Sequence, residues 1–392
     1  MNQRTLKKGR QTSYIRFASK KLFVSCLMAL MFFSLTFMYA FRSPLWSGIY
    51  HAFKNKTIFK TISPEHEHQS TSKTNEQSLQ YPKRINIIII SFPRSGSSFL
   101  GEIFNQHSHV FYLFEPLHTV QKSLTQHSGL EFNFSSPSYQ KKAFQFFDDM
   151  MNCNFDSGIF IRYLVPGDRE RSLVLNSPPF CVKNEKSTVC YKLTSQHLKT
   201  VCKNNYSVFA AKILTHRLPI SHDEWNKNFL QSCSSNGESE CKIIHLVRDP
   251  RAVVESLRNL NFFRQLNESE REFSWYVEKI CHQIEVDVKI GKFLSTVLPD
   301  GYKLIRFEDL ALTPLLVVSE LYHFTGIEML DSIKKWLRKA TTSQNTDPYS
   351  RSRVSKQVVS KWKTKMSPEK VQIVESLCGR LMKKLNYTLT GT

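Results

Sequence analysis

The segment "INIIIISFPRSGSSFLGEIFNQH", residues 85–107, constrains the fold of this chain more than any other stretch. An all-apolar run ends at Ser91, a short loop with one Gly, one Arg and several Ser follows, and a helix-like run comes next. A strand that leads through a tight loop into a helix N-terminus predicts an anion site. The reason is that the first helical N–H groups lack intrahelical partners and the helix dipole is positive there.

The residues of this loop favour a tetrahedral oxyanion. Gly96 allows close approach of the backbone to a ligand, the serines offer hydroxyl donors, and Arg94 offers a permanently charged fork. A nucleoside-triphosphate loop would read G-x-x-x-x-G-K-[ST], and neither the first Gly nor the Lys is present here. Since no predicted strand ends in an acidic pair suited to Mg²⁺, ATP or GTP hydrolysis is disfavoured. A serine-rich turn without a ligand is the alternative.

Three further short apolar runs predict buried strands that alternate with helices, which indicates an α/β fold with a mainly parallel sheet. The predicted strands are Ser207–Leu214, Lys242–Val247 and Tyr302–Phe307. The predicted helices are Ala252–Asn259, Arg271–Phe293, Leu315–Phe324 and Pro368–Leu385. We interpret residues 119–205 as an irregular, cysteine-bearing insertion that shapes substrate binding.

A second motif, "IIHLVRDPRAVVESLR", follows the predicted strand at Lys242–Val247. Arg248 to Arg251 are expected to form a turn, with a helix beginning near Ala252. Ser256 lies eight positions beyond Arg248, so both side chains would meet one phosphate only if the turn folds the arginine back over the helix. The alternative for "RDPR" alone is a capped helix start with a surface ion pair.

The N-terminal part of the chain predicts a membrane anchor. Leu22–Phe41 is twenty residues without a charge, enough to span a hydrocarbon core of about 30 Å, and the basic residues before it place the tail in the cytosol. We therefore predict a cytosolic tail (1–21), a transmembrane signal-anchor (22–41), a polar stem (42–84) and a lumenal domain (85–392). A cleaved signal peptide is the alternative, although the run is long and its exit lacks a small-residue cleavage site.

Charge and cysteine usage agree with a lumenal domain that binds anions. Of the net charge of +21, residues 1–64 carry eleven Lys/Arg and no acid, which leaves a moderately basic remainder without nucleic-acid-binding motifs. Cys26 lies in the predicted anchor, and the even number of remaining cysteines suggests disulfides whose pairing stays open. No zinc-type spacing occurs, so we predict no metal. The cysteines are Cys153, Cys181, Cys190, Cys202, Cys233, Cys241, Cys281 and Cys378, and the glycosylation sequons start at Asn55, Asn133, Asn205, Asn267 and Asn386.

Together the two motifs resemble the sulfotransferase superfamily, in which "SFPRSGSSF" is similar to the 5′-phosphosulfate-binding loop and "LVRDPRAVVES" to the 3′-phosphate-binding segment. The chain resembles more closely the Golgi carbohydrate sulfotransferases of the N-acetylglucosamine/galactose/N-acetylgalactosamine 6-O family. The segments "FNQHSHVFYLFEPLH", "RFEDLALTP" and "YSRSRVSKQVVSKWK" carry that likeness. It covers roughly residues 85–390 and implies a P-loop-like sulfotransferase fold, with a central mainly parallel sheet flanked by helices.

The resemblance implies that the donor is 3′-phosphoadenosine 5′-phosphosulfate and that no metal is needed. The loop would hold the 5′-phosphosulfate, while Arg248 and Ser256 would hold the 3′-phosphate. The donor-binding residues implied in this way are Arg94, Ser95, Gly96, Ser97, Ser98, Phe99, Leu100, Arg248, Asp249, Pro250, Arg251, Ala252, Val253, Val254, Glu255 and Ser256.

The implied reaction is an in-line transfer of a sulfuryl group, in which Arg94 stabilises charge and a base accepts a hydroxyl proton. We predict that Glu115 is this base, because the protein-tyrosine sulfotransferases carry a catalytic Glu at the same offset from the loop. A Glu satisfied by an arginine or by a helix end is the alternative, and Lys212 either points towards the sulfate or is a surface lysine. His107, His109 and His118 are the rival bases, and Arg351, Arg353 and Lys356 would either close over the nucleotide, guide an anionic glycan or form a solvated loop.

The resemblance implies a glycan acceptor, a Golgi membrane location as a single-pass type II protein, and possible self-association. N-acetylglucosamine on keratan-type or mucin-type chains is the leading acceptor, and galactose and N-acetylgalactosamine stay open. Two other classes of function remain: a P-loop kinase or nucleotidase, and a non-catalytic membrane-anchored glycan-binding protein.

Overall fold

Five parallel strands form the central sheet, in the order β2-β5-β1-β6-β7. The computed structural model describes residues 83–125, 133–184, 187–218, 225–234, 237–260, 269–342 and 355–390. The strands are β1 (Arg84–Ser91), β2 (Val110–Phe114), β3 (Cys181–Lys183), β4 (Thr188–Cys190), β5 (Val208–Leu214), β6 (Ser239–Val247) and β7 (Tyr302–Arg306). Strands β3 and β4 form a separate antiparallel hairpin.

Helices cover both faces of the sheet, and the described part of the chain confirms the predicted α/β fold. They are α1 (Ser97–Asn105), α2 (Leu117–Thr125), α3 (Pro137–Met151), α4 (Ile159–Tyr163), α5 (Pro166–Glu170), α6 (Ser195–Asn205), α7 (Trp225–Cys233), α8 (Pro250–Asn259), α9 (Glu270–Val297), α10 (Phe307–Leu312), α11 (Pro314–Thr325), α12 (Asp331–Thr342), α13 (Ser355–Lys365) and α14 (Pro368–Lys384). The three predicted strands and four predicted helices occur with ends shifted by a few residues at most.

The isoleucine run of β1 is buried because helices pack on both faces of the sheet. Ile88 and Ile90 join one hydrophobic cluster, whereas Ile87 and Ile89 join the cluster on the opposite face. Side chains alternate between the two faces of a strand, so a central parallel strand reads as a continuous apolar run.

Residues 119–205 are largely helical where the structure describes them, so the prediction of an irregular insertion is wrong. Helix α3 begins at a Ser136 N-cap followed by Pro137, a regular helix-start signal. Its Phe147 and Met150 are fully buried in the same cluster as Ile88. The segment is therefore part of the core, because its apolar helix face covers one side of the sheet.

All eight cysteines outside the predicted anchor form disulfides, which confirms the inference drawn from their even number. The pairs are Cys153–Cys202, Cys181–Cys190, Cys233–Cys241 and Cys281–Cys378.

The predicted tail, signal-anchor and nearly all of the stem lie outside the described residues, as do the sequons at Asn55 and Asn267. Within the part of the chain that is described, the helices are too short or too polar to span a bilayer.

Candidate functional site

Each of the five parallel strands ends at the same edge of the sheet, and each end supplies a polar or aromatic side chain. Glu115 follows β2, Lys212 lies near the end of β5, Arg94 follows β1, Arg248 follows β6 and Phe307 follows β7. In open α/β sheets ligands bind outside the carboxyl ends of the strands. This edge is therefore the candidate site.

The loop after β1 is shaped by a close contact with Phe307. Gly96 has a φ of 92°, and a Cβ atom there would lie 2.3 Å from the Phe307 ring. Arg94 and Glu115 also have positive φ, 66° and 44°. Backbone strain of this kind persists only where the surrounding structure maintains it, and it is concentrated at functional sites. Helix α1 starts at Ser97 without a side-chain cap. The N–H groups at the very start of a helix lack intrahelical partners and can donate to an anion.

The structure brings the two sequence motifs into direct contact. Arg94 Nε donates to Ser256 Oγ over 3.1 Å, and Arg248 Nη1 donates to the Arg94 carbonyl oxygen over 2.9 Å. The Arg248 guanidinium also lies 4.6 Å from the centre of the Phe307 ring. Arg94 of the first motif is thus bonded to both Ser256 and Arg248 of the second motif.

A cavity of about 330 Å³ opens beside these contacts. Its walls include Arg94, Arg248, Ala252, Glu255, Ser256, Asn259, Leu260, Val358, Lys361, Trp362 and Lys365. Among the described residues, Arg248 Nε is buried without a hydrogen-bond partner, and burial lowers the pKa of this guanidinium to about 10. A buried donor of this kind is costly unless a ligand accepts from it. The cavity therefore fits the phosphate of a nucleotide.

Several residues of the second motif support the start of helix α8 and do not line the cavity. Asp249 caps α8 by accepting from the Arg251 N–H, and the Arg251 side chain binds both Asp249 and Glu375. Val253 and Val254 are fully buried in the core. Asp249, Pro250, Arg251, Val253 and Val254 do not line the cavity, and their contact with the donor stays a prediction. The alternative interpretation, a capped helix start with a surface ion pair, holds for the cap, but the ion pair between Arg251 and Asp249 is buried.

The first motif divides in the same way. Ser95 and Ser97 are buried in the loop, whereas Ser98 is half-buried. Phe99 stacks on Trp336 with ring centres 6.1 Å apart, and Leu100 is completely buried in a core cluster. The side chains of Phe99 and Leu100 are thus used in packing, and their backbone N–H groups donate to the Gly96 carbonyl oxygen. Their contact with the donor stays a prediction.

Glu115 lies between two cations at the ends of β2 and β5. Lys212 Nζ donates to its Oε1 and Arg217 Nη1 donates to its Oε2. Burial opposes ionisation of this carboxyl, but the ammonium and the guanidinium outweigh it and lower the pKa of Glu115 to about 2. Glu115 is therefore satisfied by a lysine and an arginine in this structure.

Lys212 is a buried site residue, which decides against a surface lysine. Its side chain is 2% exposed, and its Nζ also lies 4.6 Å from the centre of the Phe114 ring. Burial lowers the pKa of Lys212, while Glu115 opposes that change. An ammonium this well shielded from water interacts strongly with any anion that replaces the carboxylate.

Sequence reasoning missed Arg217, although it lies only a few residues beyond the end of β5. Its Nε also donates to Gln121 Oε1 over 3.0 Å, and its carbonyl oxygen accepts from Tyr139 Oη over 2.6 Å. The signal that would have revealed Arg217 is its position just beyond a strand end, at the edge where the other site residues lie.

The three histidines that rival Glu115 have distinct surroundings. His107 Nε2 contacts the Glu328 carbonyl oxygen at 3.0 Å, and the His109 N–H donates to His107 Nδ1. His118 Nδ1 contacts Asp168 Oδ2 at 2.8 Å, and its backbone N–H donates to the Glu115 carbonyl oxygen. Only His118 among the three is thus tied directly to Glu115 by a described hydrogen bond.

The basic stretch before Trp362 is described only in part. Arg351 and Arg353 lie outside the described residues, and Lys356 is an exposed residue of α13. Farther along the same helix, Lys361 and Lys365 reach the cavity wall.

The chain resembles known proteins over most of its length. Residues 84–386 match the family model described as "Sulfotransferase domain". Carbohydrate sulfotransferase 1 of Mus musculus is 27% identical over 348 residues, which are 79% of this chain and 81% of that protein. Carbohydrate sulfotransferase 5 of Homo sapiens is 27% identical over 329 residues, 78% of either chain. Among solved structures, the sulfotransferase domain from the curacin biosynthetic pathway superposes with a TM-score of 0.42 and 19% identity, over 79% of this chain and 99% of that one.

Proposed function

This chain belongs to the sulfotransferase domain family, and from that premise we propose that it transfers a sulfuryl group from 3′-phosphoadenosine 5′-phosphosulfate to the 6-hydroxyl of a sugar in a glycan. The observation that carries the proposal is the meeting of Arg94, Ser256 and Arg248 at one cavity. The relatives named carbohydrate sulfotransferases support a sugar as the acceptor. N-acetylglucosamine is the leading acceptor, ahead of galactose and N-acetylgalactosamine.

The donor would lie across the loop and the second motif. The unpaired Nε of Arg248 and the hydroxyl of Ser256 fit a 3′-phosphate. Arg94 and the N–H groups at the start of α1 fit the 5′-phosphosulfate. The donor supplies an activated sulfuryl group, and the protein contributes binding, orientation and charge stabilisation.

Glu115 is the base in this proposal, and Lys212 controls when it can act. In the structure, Lys212 and Arg217 keep the Glu115 carboxylate ionised. A sulfuryl group at the mouth of the loop would compete for the Lys212 ammonium. With one cation withdrawn, the pKa of the Glu115 carboxyl rises towards a value at which it can accept the proton of the sugar hydroxyl.

The direct test is sulfate transfer from the labelled donor to a panel of N-acetylglucosamine-, galactose- and N-acetylgalactosamine-terminated acceptors, followed by linkage analysis. We expect label on a 6-hydroxyl, and we expect Glu115→Gln to abolish transfer while the protein still binds 3′-phosphoadenosine 5′-phosphate. Calorimetry with the same donor and with ATP, with and without Mg²⁺, tests the kinase alternative. Preference for ATP would overturn the proposal, and glycan binding without any transfer would favour a non-catalytic glycan-binding protein.

We also propose that the protein is a single-pass type II protein of the Golgi membrane with its catalytic domain in the lumen. The uncharged run Leu22–Phe41 and the basic tail before it support this orientation. The four disulfides support an oxidising compartment. Protease protection of the domain in sealed membrane vesicles, lost on addition of detergent, would test the orientation.

A further inference from the structure

The motif "RFEDLALTP" places a buried carboxylate directly behind the second motif. Glu308 is 6% exposed, and its Oε1 accepts from the backbone N–H of Asp249 over 3.1 Å. Asp249 adjoins Arg248 in the chain and caps α8. The preceding residue, Phe307, lies under the Arg248 guanidinium and against Gly96. The start of α10 thus contacts both anion-binding motifs.

The other oxygen of Glu308 is held by the C-terminal end of the chain. Tyr387 Oη donates to Glu308 Oε2 over 2.7 Å, and the Tyr387 ring is buried. A buried carboxylate is stable only when its oxygens are satisfied. Two donors, one from the turn after β6 and one from the C-terminal end, therefore determine where this carboxylate lies.

Residues 386–390, which we call the C-terminal strap, are held at further points by Arg251 of the second motif, by Arg306 and by Glu375. Arg251 Nη2 donates to the Thr388 carbonyl oxygen over 3.0 Å, and Arg306 Nη1 donates to the Asn386 carbonyl oxygen over 2.8 Å. The Arg306 guanidinium lies 4.6 Å from the centre of the Tyr387 ring. At the other end of the strap, Thr390 donates to Glu375, which also binds Arg251.

We propose that the C-terminal strap positions Arg248 for the 3′-phosphate of the donor, with Tyr387 and Glu308 as the positioning residues. Neither side chain lines the cavity, so each acts through the turn that carries Arg248. The charge of Glu308 also favours the ionised form of Arg248, against the burial that lowers its pKa. This inference rests on the proposed function, because it assumes that the cavity holds a 3′-phosphate.

The test compares two nucleotides that differ only in the 3′-phosphate. We measure by calorimetry the affinity of the full chain for 3′-phosphoadenosine 5′-phosphate and for adenosine 5′-phosphate, in the wild type and in Tyr387→Phe. The substitution keeps the ring and removes one charge-assisted hydrogen bond. We expect a loss of about tenfold in affinity for the first nucleotide and no change for the second. In turnover, the KM for the donor rises by a similar factor, while kcat and the KM for the acceptor stay within about twofold.

Tyr302→Phe is the matched control, because Tyr302 Oη also bonds to a buried group, His245 Nδ1 at 2.9 Å, away from the cavity wall. It should lower the thermal midpoint without changing affinity for either nucleotide. Equal losses for both nucleotides in Tyr387→Phe, or no loss, or the same loss in Tyr302→Phe, would overturn the role of the strap. A wild type that binds both nucleotides equally well would overturn the proposed donor, and this inference with it.

Discussion

Glu115 shows how a single carboxylate can be both buried and charged. Its side chain is 13% exposed, and two cations, Lys212 and Arg217, compensate the cost of removing it from water. Neither cation is dispensable for this balance. The positive φ of Glu115 and its backbone hydrogen bond to the Lys212 carbonyl oxygen further determine the position of the carboxylate.

Lys212→Met removes one of these cations while keeping an unbranched apolar side chain that is one atom shorter. We expect kcat for sulfate transfer to fall at least about 100-fold, the usual cost of losing one preorganised charge-stabilising donor, with affinity for 3′-phosphoadenosine 5′-phosphate within about threefold. We also expect the free energy of unfolding to fall by up to about 3 kcal/mol, because a buried pair is broken. Steady-state kinetics and urea denaturation provide the two measurements.

The control for Lys212→Met is Lys199→Met, which breaks the more exposed pair between Lys199 and Asp156. It should cost less than about 1 kcal/mol and leave kcat unchanged. Unchanged transfer by Lys212→Met would remove Lys212 from the reaction.

At the scale of elements, strand β1, the loop that carries Arg94 and helix α1 together form one anion site. The loop is narrow because Phe307, at the start of α10, fills the space where a side chain of residue 96 would lie. Two elements far apart in the sequence thus determine the shape of one anion site.

Gly96→Ala should distort the loop of this anion site. An added Cβ would meet the Phe307 ring at 2.3 Å, and the φ of 92° disfavours any side chain. We expect a drop of about 2 kcal/mol in the free energy of unfolding and at least a tenfold loss of affinity for 3′-phosphoadenosine 5′-phosphate, measured by denaturation and calorimetry. Gly167→Ala, where a Cβ meets nothing within 4 Å, should leave the affinity unchanged. Because Gly167 lies in helix α5, we expect the free energy of unfolding to stay the same or rise by up to about 1 kcal/mol.

The elements that were predicted correctly are those whose sequence pattern lies within one contiguous stretch of the chain. The β1 isoleucines, the loop after them and the strand before Arg248 are contiguous in the chain, so pattern and motif were enough to predict them. To predict the partners of Glu115, one would have to know the order of the strands in the sheet. Strand β2 lies beside β5, although some 90 residues separate them in the chain. For the same reason, the sequence alone left the disulfide pairing open. It also could not tell which residues of the second motif line the cavity and which support helix α8.

At the scale of the whole molecule, several buried ionisable groups link stability to pH. His216 and His245 have pKa values lowered to about 4 by burial. Burial raises the pKa of Asp287 to about 6, against hydrogen bonds from Thr215 and Gln283. Between pH 4 and 6 the two histidines bind protons only when unfolded, so they make stability rise with pH. Asp287 holds a proton only when folded in that range and opposes the rise.

Asp287→Asn isolates the contribution of Asp287, because every other group is common to the variant and the wild type. We expect the slope of the unfolding free energy against pH to be steeper in the variant by about 1 kcal/mol per pH unit between pH 4.5 and 5.5, the effect of most of one proton. Asp300→Asn, at an exposed acid, should leave the slope as in the wild type. Urea denaturation at half-unit pH steps measures it, and parallel curves for Asp287→Asn and wild type would mean that Asp287 is ionised in the folded protein throughout that range.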